Sequence, residues 1–312
     1  MIKQPLRIGT RASKLALAQA GQTRARIAAA LGDDDAAVLV HITTTGDTTQ
    51  DRRLMDIGGK GLFTKEIEEA LFDGRIDAAI HSLKDMPAQG PDGLVIAAIP
   101  EREDPRDAFL SVRYATFDAL PLGARLGTAS LRRQAQALRA RPDLTVETLR
   151  GNVDTRMAKL ERGEFDAIFL AAAGLNRLGL GHVAKSWLDP VFAPPAPGQG
   201  ALAIQTRVED RHADWLKVLH HYPTALTVAA ERGALAALEA SCRTAVGAHA
   251  WIEAGKVRLV VEALSPDGAH AFRETGAIAA EGPDAELEAA RLGYALGRAI
   301  WDRGGAALIS QA

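Results

Sequence analysis

The sequence predicts an α/β protein of two similar lobes, each with a mixed, mostly parallel sheet, followed by a small C-terminal α+β domain. Three observations lead there. Strand-like and helix-like segments alternate through the first 200 residues. A Gly-Thr step closely followed by Ser occurs twice, at Gly9-Thr10-Arg11-Ala12-Ser13 and at Gly127-Thr128-Ala129-Ser130, each time after a short apolar strand end and ahead of a helical run. From about Tyr222 onward the pattern changes to a helix, strands and a helix.

The two Gly-Thr elements suggest an internal duplication because further matches follow in the same order. Val40-His41-Ile42-Thr43 resembles Val146-Glu147-Thr148-Leu149, and Gly74-Arg75-Ile76-Asp77-Ala78 resembles Gly163-Glu164-Phe165-Asp166-Ala167. A loop over 45–61 absorbs the difference in spacing. Strands are expected at 6–9, 38–43, 77–81, 94–99, 108–112, 144–149 and 166–171, and helical runs from Ser13 to residue 30 and from Ser130 to residue 140, where Pro142 ends the second. The charged, proline-bearing 100–107 and the Pro/Gly-rich 192–200 read as two hinges, and the short apolar strand at 201–205 is expected to return to the first sheet. Two crossings between similar α/β lobes describe the architecture of periplasmic-type binding proteins, whose ligand sits at the carboxyl ends of the strands. The expected division is 1–100 with 201–220, then 101–200, then 221–312, the last with a helix at 224–239, strands near 256–264 and 271–280, and a helix at 285–301.

Composition narrows the function. Thirty-seven Lys and Arg against 39 Asp and Glu leave no global footprint for nucleic acid or an anionic membrane, so any anion specificity is local. Early cations at Lys3, Arg7, Arg11 and Lys14 and the lack of a long apolar run point to a cytoplasmic, membrane-free protein, expected to be a monomer. One cysteine excludes an internal disulfide and a cysteine-rich metal site, and the scattered histidines form no H-E-x-x-H pattern, so no metal is expected.

The chemistry-bearing residues are cations at turns. Each helix start offers backbone N–H groups, hydroxyls and a positive dipole end, with Arg11 at the first and Arg132 and Arg133 at the second. Arg150 and Arg156 flank the Gly151-Asn152 turn in a spacing suited to bidentate carboxylate or phosphate recognition. Taken singly each arginine reads as surface; together with Lys60, Lys84 and Arg177 they suggest a cleft for a small polyanion. Gly58-Gly59-Lys60-Gly61-Leu62-Phe63-Thr64 lacks the G-x-x-x-x-G-K-[ST] spacing of a phosphate loop and better suits a mobile lid presenting Lys60 and Phe63. Asp85, in His81-Ser82-Leu83-Lys84-Asp85-Met86-Pro87, is either a counter-ion or a group that stabilises a cationic intermediate or moves protons. Cys242, following a helix, reads on its own as an inert thiol.

These motifs together, with Leu149-Arg150-Gly151-Asn152-Val153-Asp154-Thr155-Arg156 and Pro197-Gly198-Gln199-Gly200, resemble the porphobilinogen deaminase (hydroxymethylbilane synthase) family over nearly the whole chain. The resemblance implies a transferase of tetrapyrrole biosynthesis that joins four porphobilinogen units head to tail, with loss of ammonia, on a dipyrromethane primer held by a thioether to Cys242. It makes Asp85 the catalytic carboxylate. It places Ser82, Lys84, Asp85, Thr128, Ser130, Arg132, Arg133, Gly151 and Asn152 around the primer. Arg11, Ser13, Gln19, Lys60, Phe63, Arg150, Arg156 and Arg177 fall on the substrate side. Two departures stand out: Ala245 occupies a place where relatives usually carry Pro, and Asp56 puts an acid near the lid. The competing reading is a non-catalytic two-lobed anion-binding or sensory module.

Overall fold

The computed structural model describes residues 4–48, 63–239 and 244–310. The chain begins with β1 (Leu6–Thr10), α1 (Lys14–Leu31), β2 (Ala37–His41), a helical turn α2 (Thr45–Thr48), α3 (Lys65–Phe72), β3 (Ala78–Ser82) and β4 (Leu94–Ala98). It then crosses to β5 (Asp107–Leu110), β6 (Arg125–Gly127), α4 (Leu131–Ala140), β7 (Thr145–Glu147), α5 (Val153–Glu161), β8 (Ala167–Ala171), α6 (Ala172–Arg177) and β9 (Ser186–Trp187). It returns through β10 (Leu202–Arg207) and α7 (Asp214–Lys217) before α8 (Tyr222–Ala237), β11 (Val246–Glu253), β12 (Lys256–Leu264), β13 (Ala271–Ala279), α9 (Ala285–Ile300) and α10 (Ala306–Ser310).

Two five-stranded sheets share one topology: β2-β1-β3-β10-β4 and β7-β6-β8-β5-β9. In each, the fourth strand alone runs antiparallel to its neighbours, and each is the strand contributed by a chain crossing, so β5 and β10 hold equivalent places. The apolar 201–205 segment does return to the first sheet, between β3 and β4.

The repeat is written in the contacts. Asp77 N donates to Arg7 O at 2.8 Å while the Asp77 carboxylate accepts from Arg7 N at 2.8 Å; Asp166 N donates to Arg125 O at 2.9 Å and its carboxylate accepts from Arg125 N at 2.8 Å in the same place. A Cβ on Gly9 would lie 2.3 Å from Ile76 Cδ1, and one on Gly127 2.8 Å from Phe165 Cδ1, so glycine at both stations lets an apolar side chain close over the strand. The middle station is one residue out of the sequence match. Val40 pairs with Gly9 and Glu147 with Gly127, so Val40 corresponds to Glu147 rather than to Val146. Identity of side-chain type misled there, whereas hydrogen-bond register decides which face each residue occupies.

Both helix starts are capped as the serines suggest. Ser13 Oγ accepts from Ala16 N and Ser130 Oγ from Arg133 N, each such cap contributing about 0.5–2 kcal/mol. The 150–156 segment is a third such start, since Asn152 caps α5 through Thr155 N at 2.9 Å. Of the loop expected at 45–61, Thr45–Thr48 form a helical turn and the rest lies outside the described residues.

Apolar layers cover both faces of each sheet: Ile27 of α1 packs with Ile8, Ile80 and Ile204, Ile67 and Leu71 of α3 with Ile76 and Ala79, Ala137 of α4 with Phe109, Leu126 and Phe169, and Leu160 of α5 with Leu110, Ile168 and Leu170. The last domain is an antiparallel β11-β12-β13 sheet on which α8 and α9 pack. Its strands β12 and β13 and both helices match expectation; β11 escaped it because Val246-Gly247-Ala248-His249-Ala250 lacks strong β-formers, and two-residue β9 is too short to carry a pattern.

The two crossing segments are zipped together. Gly200, at φ 90°, brings its backbone so close that a Cβ would lie 2.3 Å from the Glu103 carbonyl oxygen. Arg102 Nε donates to Gln199 O at 2.8 Å and Glu103 N to Gly200 O at 3.2 Å. Asp107, expected at the end of a hinge, is instead the first residue of β5.

Candidate active site

The site is assembled where β3, α1, α4, α5, α6 and the crossings converge. Strand β3 ends in a 3₁₀ turn, Leu83–Asp85, whose Leu83 is buried against Ala201, Ala203 and α8 residues Ala225 and Val228. That anchor leaves Lys84 and Asp85 exposed at the strand's carboxyl end. Ser82 and buried Gln19 are joined by a 3.0 Å hydrogen bond from Gln19 Nε2.

From Lys84 a polar chain runs into the second lobe. Lys84 Nζ reaches Gln199 Oε1 at 3.5 Å, and Gln199 Nε2 donates to Asp107 at 2.9 Å and to Pro105 O at 2.7 Å. Asp107 in turn accepts from Arg132 Nη1 at 2.8 Å and Arg133 Nη2 at 2.7 Å. Burial by itself would raise the Asp107 carboxyl; the two guanidinium groups overcome it and hold the acid far below the usual carboxylate range. Arg132 also donates to Gln136 and Pro194 O, and Arg133 to Phe169 O. These arginines, placed by sequence at an exposed helix start, are 4% and 7% exposed. The Nε of each is buried without a hydrogen-bond partner among the described residues.

The remaining cations crowd the same region. Arg156, in the first turn of α5, donates to Gly151 O at 2.8 Å, and burial together with the nearby charges of Arg133 and Arg150 lowers it to about 10. Desolvation by the surrounding protein, reinforced by Arg133 and Arg132 and opposed by Asp85 and Asp107, lowers Lys84 to about 8 although the residue as a whole is exposed. Arg177, at the end of α6, donates to Gly200 O at 2.7 Å, and burial lowers it as well. Arg11 lies over the Phe63 ring with its guanidinium carbon 4.2 Å from the centroid. An ion pair of 2.6 Å between Lys14 on α1 and Asp154 on α5 links the lobes at the edge.

The hydroxyls are less free than the sequence suggested. Ser13 and Ser130 serve as caps, Thr128 Oγ1 accepts from Ser130 N at 3.1 Å, and Asn152 Oδ1 accepts from both Thr155 N and Oγ1. Arg11, Ser13, Gln19 and Phe63 fall on the first lobe, and Thr128, Ser130, Arg132, Arg133, Arg150, Gly151, Asn152, Arg156 and Arg177 on the second. Lys60, Asp56 and Cys242 lie outside the described residues. Sequence reading missed Asp107 and Gln199 as site members. Their signal, a polar residue at the edge of an apolar strand or within a Pro/Gly turn, is also what a hinge looks like.

Ala245 packs with Leu264 and Ala135, so the described chain after Cys242 abuts the helix that carries Arg132 and Arg133. Glu231 on α8 is fully buried. It accepts from Arg102 twice, at 2.8 and 3.0 Å, and from the backbone N–H of Gly198 and Ala250, tying the last domain to both crossings. On the next residue, Arg232 donates to the carbonyls of Pro87 and Ala88, just beyond the Asp85 turn.

Among the described residues no three His, Cys, Asp or Glu gather as a metal site, and no helix is long and apolar enough to cross a membrane. Residues 6–214 match the family profile described as porphobilinogen deaminase, dipyromethane cofactor binding domain, and residues 225–302 that of the porphobilinogen deaminase C-terminal domain. Curated relatives named porphobilinogen deaminase include one from Caulobacter sp. (strain K31), 64% identical over 99% of each chain. Those from Caulobacter vibrioides and Phenylobacterium zucineum are 62% and 60% identical, over 98% of both chains and over 99% and 100% respectively. A solved periplasmic substrate-binding protein of an ABC transporter from Coxiella burnetii aligns at TM-score 0.44 and 16% identity, over 73% of this chain and 96% of that one. With both profiles and near full-length relatives in agreement, the chain belongs to the porphobilinogen deaminase family.

Proposed function

We propose that this chain deaminates porphobilinogen and joins four units head to tail on a dipyrromethane primer attached to Cys242, releasing hydroxymethylbilane and ammonia. The observation that carries this reading is a surplus of cations around the Asp85 turn. Lys84, Arg132, Arg133, Arg150 and Arg156 face each other's fields with Asp85 and Asp107 as the acids felt there, and two guanidinium Nε donors are buried without partners. Such a surplus is stable when anions enter it, and each charge-assisted hydrogen bond to a carboxylate contributes about 1.5–3 kcal/mol.

The residues fit the primer. Its pyrroles carry acetate and propionate groups, which suit the orphan donors of Arg132 and Arg133 and the ammonium of Lys84, with Ser82, Thr128, Ser130, Gly151 and Asn152 completing the primer side. When bound, the primer supplies the pyrrole carbon to which the first substrate unit is joined. Arg11, Ser13, Gln19, Phe63, Arg150 and Arg156, with Lys60, orient the incoming substrate's carboxylates, and Arg177 acts on the growing chain. Asp85, exposed beside Lys84, is the catalytic residue. It faces pyrrole N–H groups and stabilises the positive charge that develops as ammonia leaves and the next ring attacks.

The same reading divides the chain into 1–100 with 201–220, 101–200 and 221–312, and makes the protein a cytoplasmic monomer without nucleic-acid or membrane partners. Intact mass tests it. Denatured wild type is expected to exceed its sequence mass by a dipyrromethane, and Cys242→Ser to lose that increment; a soluble, unmodified wild type without turnover would sink the reading in favour of a non-catalytic anion binder.

A further inference from the structure

His81 has no role in the chemistry above, yet it is 5% exposed at the end of β3, next to Ser82. Its Nε2 lies 2.9 Å from Gln205 Oε1 on the returning strand β10, and Gln205 Nε2 donates to Glu68 Oε1 on α3 at 3.0 Å. Gln205 is 2% exposed, so it has little access to water as an alternative partner. The carboxylate at the end of this chain fixes its direction. Carboxylate oxygens accept, so Gln205 turns its NH₂ to Glu68 and its carbonyl to His81; the flipped amide would set acceptor against acceptor. A carbonyl facing the ring requires hydrogen on Nε2 and leaves the lone pair on Nδ1.

The imidazole lies within the field of Arg11, which follows the end of β1 and stacks on Phe63. Burial, opposed by the Gln205 bond and assisted by Arg11, lowers the ring's pKa to about 4. Arg11 and, through Gln205, Glu68 are the charged groups that face it among the described residues.

We propose that His81 is a positioning residue of the substrate side, locked by Gln205 and Glu68 as the neutral Nε2–H tautomer so that the ring beside Arg11 adds no charge and offers only a lone pair. This rests on the assignment of Arg11 to substrate carboxylates. It also gives the returning strand a task beyond completing the sheet: β10 and α3 together set the electrical state of a residue next to the site. A neutral acceptor there keeps Arg11 as the cation that places the substrate's carboxylate.

The test is a tautomer measurement followed by a carboxylate exchange. In wild type labelled with ¹⁵N-histidine, the signals lost in His81→Asn should show protonated Nε2 and unprotonated Nδ1, unchanged between about pH 5.5 and about pH 8.5, a range wholly above the ring's pKa of about 4. The double variant Glu68→Gln with Gln205→Glu keeps the hydrogen-bond chain and its total charge but puts the carboxylate against the ring. His81 should then titrate near neutrality, and log(kcat/KM) against pH should gain an ionisation absent from wild type, carried mainly by KM. His81→Asn should raise KM about fivefold, the worth of one neutral hydrogen bond, with kcat nearly unchanged. A wild-type ring protonated on Nδ1, or a double variant whose imidazole titrates while its pH profile overlays wild type, overturns the proposal. The tautomer is read without turnover, so failure of the enzyme reading would show separately in the intact mass.

Discussion

Asp107 is the acid on which both buried arginines of the site depend, and Asp107→Asn isolates that dependence. The carboxylate is 2% exposed and takes bonds from Arg132 at 2.8 Å, Arg133 at 2.7 Å and Gln199 at 2.9 Å. Asparagine keeps the shape, but its carbonyl can serve only part of this set while its NH₂ confronts a guanidinium. Leaving buried charge without its partner costs about 3–5 kcal/mol, a large share of the ~5–15 kcal/mol that holds a typical domain folded. Urea unfolding of wild type and variant should show that gap at pH 7. The pH dependence has a definite sign. Because the folded pKa lies below the unfolded value of about 3.9, the stabilisation is fully present above about pH 4 and is lost as pH falls toward the folded pKa. The gap should therefore be constant from pH 8 to about 5 and narrow in acid. A difference under about 1 kcal/mol at pH 7, the size of an exposed pair, or one that widens in acid, would refute the reasoning.

Glu231→Ala should cost about 3–5 kcal/mol by stranding Arg102 and two backbone N–H groups, and should open 192–200 to limited proteolysis as the last domain loosens. Gly200→Ala should destabilise by more than about 1 kcal/mol, because both its φ and the Glu103 carbonyl reject a Cβ; thermal unfolding against a Gly123→Ala control, where φ is also positive but space is open, separates the two causes. Lys84 is protonated below its pKa of about 8, so titration calorimetry with a pyrrole dicarboxylate should show affinity falling as pH rises above 8, and Lys84→Gln should remove that dependence. Asp85→Asn should leave such binding within about threefold while kcat drops by about 10²-fold or more, as expected when a charge-stabilising group is removed.

Much of the architecture was legible because it is encoded locally. Ser13 and Ser130 cap the helices their positions announce, Pro142 follows the end of α4, and the Gly9 and Gly127 stations recur with their covering Ile76 and Phe165. Spacing also placed Lys84 and Asp85 at a strand end. What stayed hidden was long-range. Asp107 and Gln199 are 92 positions apart, and no local pattern distinguishes a buried junction from a flexible hinge. The one-residue slip at Val40 has the same origin, since register is a property of two strands rather than of one. Arg132 and Arg133 were readable as cations near a helix start, but not as buried groups sharing an acid from β5.

The sequence by itself determined the duplicated α/β plan, the helix starts and the stock of cations, because caps, glycine turns and apolar periodicity act within a few residues. Only the tertiary structure decided which cations share an acid, which keep an unpaired donor, and that Gln205 and Glu68 hold His81 within the field of Arg11. Those outcomes depend on burial and on pairing between distant strands, where the field at a charge is the sum over neighbours that the chain brings together only when folded.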